Sequence, residues 1–408
     1  MSKLIGPFKE VLTFTKTPQK GALEDDKIGI IQNGGVLVDN EKILEVGDFD
    51  QLKSKTSEVE EINGDHILLP GFVDCHTHLV WGGTRARDYT LRMSGESYEK
   101  ILEQGGGIFD SVEKTRKATP EELKSGLIKR ANRHLHDGVT TIEVKSGYGL
   151  DVENELKVLE VVKSAMAEIE ADLIPTCLAA HVCPKEFKDK KDFLIYLEKE
   201  LLPQLLVKGL ASRIDIFVEP SAFPVEIARD YMSAAKNLGF DLTIHADQFH
   251  TGGSQMAVDL GARSADHLEA SSQKEIELLA KSDTVAVALP GASLGLGMNF
   301  TPTRKLLDAG ASVAISTDWN PGSAPMGDLL VQAAILGIYE KMSSAEIFAG
   351  MTFRAAHALG LGDRGRIAPE MKADLVAFPF DDYREILYNQ GKLKPDMVWK
   401  NGNRIKHV

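Results

Sequence analysis

Strand-like and helix-like segments alternate along most of the chain, and this alternation limits the folds that it can adopt. Eight short apolar segments predict strands, which begin near Leu69, Thr140, Leu173, Arg213, Leu242, Ser264, Val285 and Ser312. Segments rich in Leu, Glu and Lys separate several of them and predict helices, for example at Pro120 to His136, Asp151 to Ile169 and Val225 to Leu238. Strands that alternate with helices form parallel sheets. Eight such units over roughly 300 residues favour a (β/α)8 barrel, an α/β fold, over a doubly wound open sheet.

The two ends of the chain have a different pattern. Residues 28–48 and the tail from about residue 373 contain short strand-like runs that are separated by turn residues. A chain of 408 residues is longer than one small core needs, so a large domain and a smaller one are expected. We predict a small β-rich domain made of residues 1–66 and 367–408, and a barrel made of residues 67–366.

Composition limits the partners of the protein. The formal net charge of −13 at pH 7 disfavours nucleic acid and anionic membranes. The sequence has no apolar run long enough to span a bilayer, and its first residues lack the pattern of a signal peptide. The three cysteines, Cys75, Cys177 and Cys183, are scattered and fit a reducing cytoplasm. We therefore expect a cytoplasmic protein with a small-molecule partner, which a local arginine would allow to be acidic.

Two histidines, His76 and His78, follow the first predicted strand. Side chains at positions i and i+2 of a strand point to the same face. Both imidazoles are therefore expected on one face at the end of this strand. Neutral imidazole is the commonest protein ligand of transition metals. The pair alone is weak evidence, since two histidines at this spacing also occur in purely structural positions.

Further polar residues lie where the other strands are predicted to end, which is where barrels have their active sites. They are Glu143, Lys145, Tyr148, His181, Glu219, His245, Asp247, Gln248, Asp266, His267, Glu269, Asp318 and Asn320. Taken alone, His245 is equally well a core histidine, and Asp318 is an ordinary residue to begin a turn. Together with His76 and His78 they supply three nitrogens and one carboxylate. That set suits a zinc or iron ion with an open position for water.

Five stretches extend this pattern along the chain. They are Gly71 to Arg85, Ser97 to Ile108, Glu143 to Leu150, Ala265 to Glu269 and Ser316 to Ser323. In this order they resemble the metal-dependent amidohydrolases and, within that superfamily, the imidazolonepropionase family, over nearly the whole chain. The resemblance implies a barrel hydrolase that opens the ring amide of 4-imidazolone-5-propanoate in histidine degradation. The product would be N-formimidoyl-L-glutamate.

The resemblance also implies roles for individual residues. It assigns metal binding to His76, His78, His245 and Asp318, and substrate binding to Arg85, Tyr148, His181, Asn320, Gly322 and Ser323. Some family members have Glu at the position of Gln248; Gln cannot act as a general base, so we assign it only a hydrogen bond to substrate. The fourth strand has no Lys that would bridge two metals, which favours one zinc or iron ion. Barrels of this family commonly pair, so a homodimer is expected.

Two proton carriers are open for the expected reaction. Asp318 and His267 are each placed to take a proton from the attacking water and deliver it to the leaving ring nitrogen. A guanidinium group at Arg85 would hold the propanoate through two hydrogen bonds. The alternatives are a solvated surface position for Arg85, loop packing for Tyr148 and a buried structural role for His181.

Two other functions are alternatives to this one. A deaminase or another cyclic amidohydrolase that acts on a nucleobase-like ring would keep the metal ligands. It would lack the residues that suit an acidic side chain, which are Arg85 and Asn320 to Ser323. A catalytically inactive binding protein would be expected to lose metal ligands, and this chain retains all four.

Overall fold

The computed structural model describes residues 2–96 and 98–406. Ser97, which begins one of the motifs, and residues 1, 407 and 408 of the predicted small domain lie outside the described residues. The described part contains sixteen strands, numbered in chain order: β1 Lys3–Leu12, β2 Ile30–Asp39, β3 Lys42–Asp48, β4 Glu58–Glu61, β5 Ile67–Pro70, β6 Phe72–Asp74, β7 Val139–Lys145, β8 Asp172–Ala180, β9 Arg213–Ile216, β10 Asp241–Ala246, β11 Ser264–His267, β12 Val285–Ala288, β13 Val313–Ile315, β14 Leu375–Phe378, β15 Met397–Lys400 and β16 Asn403–Arg404.

The same residues contain seventeen α-helices: α1 Phe49–Lys53, α2 Ala86–Met93, α3 Tyr98–Glu103, α4 Ile108–Lys117, α5 Pro120–His136, α6 Val152–Ala165, α7 Lys190–Tyr196, α8 Leu202–Lys208, α9 Val225–Asn237, α10 Gly253–Leu260, α11 Gln273–Ala280, α12 Pro290–Leu296, α13 Thr303–Ala309, α14 Leu329–Glu340, α15 Ser344–Met351, α16 Phe353–Ala358 and α17 Arg384–Tyr388. A 3-10 helix at Asp25–Lys27 and a π-helical segment at Leu197–Leu201 are also present. Within the described ranges, no helix combines the length and the apolar character needed to cross a membrane.

Strands β6 to β13 form the barrel. They pair in chain order, and each neighbouring pair is parallel. The ends of the first and last strands meet through a parallel bridge between Thr77 and Trp319, and the N–H of His78 donates to the Trp319 carbonyl at 2.9 Å. The predicted α/β barrel is confirmed. From Thr140 onward, each predicted strand start is within one residue of the observed one.

The sequence contains the local signals for these elements. β7 is rich in β-branched residues and is buried at every position, as expected for a strand that is covered on both faces. α5 begins after Thr119, whose side chain accepts from the N–H of Glu122 while the Glu122 carboxylate bonds back to the Thr119 N–H. Pro120 occupies the first turn, where its missing N–H leaves no hydrogen bond unmade. The predicted bounds of this helix are the observed ones.

The beginning of the barrel differs from the prediction. The pattern predicts one strand starting near Leu69, whereas the structure has two short strands, β5 and β6, on either side of Gly71. A Cβ atom at Gly71 would collide with the Thr140 hydroxyl oxygen, so only glycine fits this close approach. The chain changes sheets there, and β5 pairs in the second sheet while β6 begins the barrel.

The second sheet is built from both ends of the chain. Its strand order is β16-β15-β14-β5-β1-β2-β3, with β4 pairing beside β1. β14 and β5 are antiparallel, with Val376 opposite Leu69, so the segment that leads into the barrel is bonded to the C-terminal tail. Residues of this sheet and of the barrel share one buried cluster, in which the rings of Phe72 and Phe378 are 6.2 Å apart. Each fully buried Phe or Leu side chain contributes roughly 1.5–3 kcal/mol. The domain limits at residues 66 and 366 stay a prediction.

Helix α16 packs at the other end of the barrel from the predicted site. It contacts β6, β12 and β13. Its Ala355 and Ala358 lie in a buried apolar cluster with Val73 and Val285, which are near the starts of their strands. The carboxyl ends of the strands, where the polar residues lie, are thus the end of the barrel left to build a site.

Candidate metal centre

Two histidines and an aspartate meet where the first and last barrel strands end. His76 and His78 follow β6, and Asp318 follows β13. Nε2 of His76 and Nε2 of His78 lie 3.6 and 3.2 Å from Oδ1 of Asp318. All three side chains are at most 3% exposed. The two-residue spacing therefore places both imidazoles beside one carboxylate.

His245 and His267 lie against this group. The ring centroid of His245 is 4.5 Å from that of His76, and the centroid of His267 is 5.2 Å from that of His245. Ligand atoms of His76, His245 and His267 all lie within 4.8 Å of one another, and so do those of His76, His78 and Asp318. The structure thus brings together the four predicted metal ligands and the predicted proton carrier His267.

Two buried carboxylates contact the ligand histidines from behind. Oδ2 of Asp266 lies 2.6 Å from Nδ1 of His76, and Oδ2 of Asp215 lies 2.9 Å from Nδ1 of His245. Contacts of this kind fix the tautomer and orientation of a metal-binding imidazole. Nε2 of His76 is buried and has no hydrogen-bond partner among the described residues. This nitrogen, the neighbouring imidazoles and the carboxylate together form a set of ligand atoms that suits a zinc or iron ion. Such an ion would give the buried nitrogen the partner that it lacks.

Burial and neighbouring charges set the protonation of these groups. Burial, helped by the Lys145 charge, holds the pKa of His76 well below its usual value. Burial also lowers the pKa of His245 to about 4, although Asp215 opposes this. Burial alone would raise the pKa of Asp318, but the His78 imidazole outweighs it and leaves the pKa lowered. These directions favour neutral His76 and His245 imidazoles and an ionised Asp318 carboxylate, which are the forms that bind metals.

His267 differs from the other histidines in its electrostatics. Burial lowers its pKa, but the Glu269 carboxylate, whose Oε1 is 3.5 Å from Nδ1 of His267, outweighs burial, so the pKa is raised overall. Its backbone φ of 86° is uncommon for a residue with a side chain, and such conformations cluster at functional sites. A buried imidazole whose pKa is raised by a neighbouring carboxylate is suited to exchange a proton near neutral pH.

The predicted substrate residues Tyr148 and His181 lie beside the ligands. The ring of His181 stacks on that of His78 with centroids 5.4 Å apart, and the Tyr148 ring is 5.6 Å from that of His181. Nδ1 of His181 lies 3.0 Å from the Gly147 carbonyl, which leaves Nε2 for another partner. Burial raises the pKa of Tyr148 well above its ordinary value, so the phenol stays protonated and is able to donate a hydrogen bond.

Arg85 packs against the loop that follows β13. Its Nε donates to Oδ2 of Asp88 at 3.0 Å, and its side chain is only 9% exposed. A Cβ atom at Gly322 would collide with Nη1 of Arg85, so the guanidinium lies directly on the backbone there. This burial does not fit the alternative of a solvated surface arginine.

Asn320 is engaged within the protein. Its Nδ2 donates to Oδ2 of Asp318 and to Oγ of Ser323, both at 2.9 Å. Its Oδ1 accepts from the N–H groups of Gly322 and Ser323 at 2.7 and 2.8 Å. These contacts favour a role in orienting Asp318 over direct contact with substrate. Gln248 is 7% exposed and lies in the segment after β10.

The motifs do not reveal several buried acids that position the site. Asp215 alternates with two isoleucines along β9. This period of two is the signal in the sequence that could have indicated that Asp215 and the isoleucines lie on opposite faces of the strand. Glu155, on α6, accepts from the N–H groups of Gly149 and Leu150 at 2.7 and 2.8 Å. Nothing in the local sequence indicates this second contact, because it depends on where the loop before α6 folds back.

Comparison with known proteins gives one consistent class. Residues 67–405 match the Amidohydrolase family. An atrazine chlorohydrolase from Arthrobacter aurescens, solved with zinc, has a TM-score of 0.71 at 17% identity and covers 98% of this chain and 94% of its own. An adenosine deaminase from Xanthomonas campestris with bound zinc has a TM-score of 0.70 at 19% identity, over 98% of this chain and 92% of that one. At such identities the likeness shows the fold alone.

The barrel, the histidine–aspartate cluster and the family match define this protein as a metal-binding hydrolase of the amidohydrolase family. The chain is 43% identical over 383 residues to the imidazolonepropionase of Bacillus cytotoxicus, a match that covers 92% of this chain and 89% of that protein. The chain belongs to the imidazolonepropionases, as its motifs predict.

Proposed function

We propose that this protein hydrolyses the ring amide of 4-imidazolone-5-propanoate to N-formimidoyl-L-glutamate, a step of histidine degradation. One observation supports this most directly: the buried metal-ligand cluster and a buried arginine both contact the loop that follows β13. In this loop Asn320 bonds to Asp318, and Arg85 packs on Gly322. The cluster favours hydrolysis, and the guanidinium favours a substrate with a carboxylate. The relatives at 43% identity support the choice of substrate.

The proposed ligands of the metal are His76, His78, His245 and Asp318. They would hold one zinc or iron ion through three nitrogens and one oxygen, which leaves a coordination position open. When bound, the metal supplies a water of lowered pKa and polarises the carbonyl of the substrate. Asn320 donates to Asp318, which fixes the orientation of this carboxylate within the ligand cluster.

Arg85 is the proposed partner of the propanoate group. Its Nε is already bonded to Asp88, so the plane of the guanidinium is fixed before substrate arrives and little rotamer freedom remains to be lost. The Tyr148 ring packs beside those of His78 and His181, which supports assigning Tyr148 and His181 to contacts with the substrate ring. Gln248 and Ser323 would add neutral hydrogen bonds.

His267 is the proton carrier that we favour. In the reaction, the oxygen of water adds to the ring carbonyl carbon, the bond from that carbon to the ring nitrogen breaks, and a proton goes to the nitrogen. The pKa of His267 is raised by Glu269 in spite of burial, whereas that of Asp318 is lowered by His78. The imidazole is thus the better group to hold a proton between the two transfers.

The direct test is the loss of imidazolone absorbance when freshly made 4-imidazolone-5-propanoate is added to the zinc- or iron-loaded protein. We expect turnover by the natural sequence, none by His76→Ala, and a weakening mainly in KM by Arg85→Ala. Guanine, cytosine and hydantoins are assayed in parallel. Turnover of one of these rings by a metal-loaded protein that ignores the imidazolone would overturn the proposal.

We further propose that the protein works as a cytoplasmic homodimer on a small acidic molecule and binds neither nucleic acid nor membranes. The net charge of −13 supports the last two points, since a negative field repels polyanions and anionic lipids. Light scattering of the purified protein at several concentrations tests the dimer, and a mass of one chain at all of them would contradict it.

A further inference from the structure

Lys145 is buried beneath the proposed metal ligands. It ends β7, its side chain is 0% exposed, and its Nζ lies 2.8 Å from Oε1 of Glu143 and 2.9 Å from Oδ2 of Asp215. Lysine is almost never fully buried unless its charge is paired, because an unpaired charge in the interior is strongly destabilising. Neither the proposed metal ligands nor the proposed substrate contacts account for a lysine at this place.

One of its two carboxylate partners contacts a ligand histidine. Oδ2 of Asp215, the oxygen nearest to Lys145, is also 2.9 Å from Nδ1 of His245. Oδ1 of Asp215 accepts from the backbone N–H of His245 at 3.2 Å. Asp215 therefore touches both the ring and the backbone of this ligand, and the ammonium group of Lys145 fixes the position of the carboxylate from the other side.

The second carboxylate partner contacts the chain between the other two histidine ligands. Oε2 of Glu143 accepts from the N–H of Thr77 at 3.0 Å, and the Thr77 hydroxyl donates to the Glu143 carbonyl at 2.5 Å. The backbone N–H of Lys145 itself donates to the Thr77 carbonyl at 2.9 Å. Since Thr77 separates His76 from His78, these bonds set the position of both rings.

The charge of Lys145 is also needed to balance the acids around it. Glu143, Asp215 and Asp266 are all fully buried, and two of them contact ligand histidines directly. Burial lowers the pKa of Lys145, but Asp215 and Glu143 outweigh burial and raise it overall, so the ammonium group stays charged. Buried acids that lost this cation would repel one another and move apart.

We propose that Lys145 is a positioning residue that joins the two halves of the metal centre, His76 and His78 on one side and His245 on the other. It acts through Glu143 and Thr77 toward the first pair and through Asp215 toward His245. The inference rests on the metal ligands of the proposed function. Lys145 itself would not touch the metal, and its effect is on the spacing of the ligands.

The test compares metal binding in variants that keep the buried charge balanced. Lys145→Met combined with Glu143→Gln removes one positive and one negative charge together. Glu143→Gln alone keeps the contact between Lys145 and Asp215, but its NH2 group has to face either Lys145 or the Thr77 N–H, so it disturbs only the contacts that lead to His76 and His78. Lys157→Met is the matched control, because Lys157 donates to the Arg116 carbonyl at 2.8 Å, away from the ligand contacts.

Two readouts are measured on each purified variant: zinc affinity by competition with a chelator, and the visible absorption spectrum of the cobalt(II) form, which reports ligand geometry. We expect the double variant to lose about ten-fold or more in zinc affinity and to have a shifted cobalt spectrum, since changes in the groups that orient metal ligands typically cost 10–100-fold. Glu143→Gln alone should lose less zinc affinity than the double variant, because Asp215 keeps its cation, and Lys157→Met should stay within about three-fold of the natural protein. A folded double variant with unchanged affinity and spectrum overturns the proposal.

A third variant covers the case in which the double variant does not fold. Lys145→Arg keeps the charge but replaces a compact ammonium with a wider planar group, which has to displace Asp215. We expect a shifted cobalt spectrum, and an unchanged one overturns the inference. His245→Ala is measured alongside: if it keeps full zinc affinity, the ligand set of the proposed function fails and the inference fails with it. If His245→Ala loses zinc while the Lys145 variants do not, only the inference fails.

Discussion

Oδ2 of Asp266 lies 2.6 Å from Nδ1 of His76, and neither side chain is more than 1% exposed. The same oxygen accepts from the Thr243 hydroxyl at 3.0 Å, so the carboxylate is held from two sides. The contact directs Nδ1 of His76 to Asp266 and leaves Nε2 for the metal centre. Burial raises the pKa of Asp266 to about 7, although the Lys145 charge opposes this, so its ionised form depends on these partners.

We expect Asp266→Asn to weaken metal binding by about 10–100-fold, because the amide holds His76 less firmly than the carboxylate does and makes its ring nitrogen less basic. Zinc affinity measured by competition with a chelator is the readout. Asp241→Asn is the matched control, since Asp241 pairs with Arg263 and its side chain is 40% exposed. Equal zinc affinities of the two variants would show that Asp266 does not support His76.

We expect Arg85→Ala to lower kcat/KM for 4-imidazolone-5-propanoate by at least about 30-fold, mainly through KM. Removing one partner of a desolvated charge pair costs roughly 2–5 kcal/mol, and this contact is made equally before and during the reaction. Arg87→Ala is the control, because Arg87 is exposed and bonds to Gln104. A fall in kcat with KM unchanged would contradict the assignment of Arg85 to the propanoate.

Much of the site is predictable because it depends on short periods in the sequence. The spacing of His76 and His78 places both rings beside Asp318, and strand ends that are far apart in the chain meet at one edge of a barrel. The same reasoning finds His245 and His267. The positions of these residues are predictable from local geometry and the fold class alone, without knowledge of side-chain packing.

The remaining contacts depend on packing between segments that are distant in sequence. The break between β5 and β6 depends on the close approach of Gly71 to Thr140. The role of Asn320 depends on the hydrogen bond from its side-chain amide to Asp318. Lys145 appears in the sequence only as one more polar residue at a strand end. Its role requires the positions of two acids on different strands, which the period of a single strand does not define.

Glu155 supports the loop that presents Tyr148. Its Oε1 accepts from the N–H groups of Gly149 and Leu150, and its Oε2 accepts from that of Gly147 at 3.1 Å. In Glu155→Gln, one of these oxygens becomes an NH2 group that faces a donor, which costs about 1–3 kcal/mol. We expect a higher KM and a lower Tm, with the metal content unchanged.

Enzyme kinetics, thermal unfolding and metal analysis of Glu155→Gln check this expectation together. The control is Glu153→Gln, an exposed position on the same helix, which should have the kinetics and Tm of the natural protein. If Glu155→Gln also lost metal, Glu155 would support the metal ligands as well as the loop of Tyr148, and the expectation would be wrong.

A cluster of charges joins the barrel to the second sheet. Oδ2 of Asp172, at the start of β8, lies 2.5 Å from Nη1 of Arg364, 3.1 Å from Nζ of Lys372 and 3.0 Å from Nζ of Lys400. Lys400 ends β15 of the second sheet. Burial raises the pKa of Asp172, but Lys400, Arg364 and Lys372 outweigh it and bring the pKa to about 2.

This lowered pKa gives stability a defined dependence on pH. The pKa of an Asp in the unfolded chain is about 3.9, so the contribution of Asp172 is fully present above about pH 4 and is lost as the pH falls toward 2. We expect Asp172→Asn to reduce the free energy of unfolding at pH 7 by up to about 2 kcal/mol, since the side chain is 28% exposed and its ion pairs are partly screened. Below pH 4 the difference between the two proteins should shrink. Urea unfolding over this pH range measures it, with Asp65→Asn as the control, because Asp65 is 55% exposed in its pair with Lys9. A difference that stayed constant with pH would show that Asp172 stabilises the fold by its shape and not by its charge.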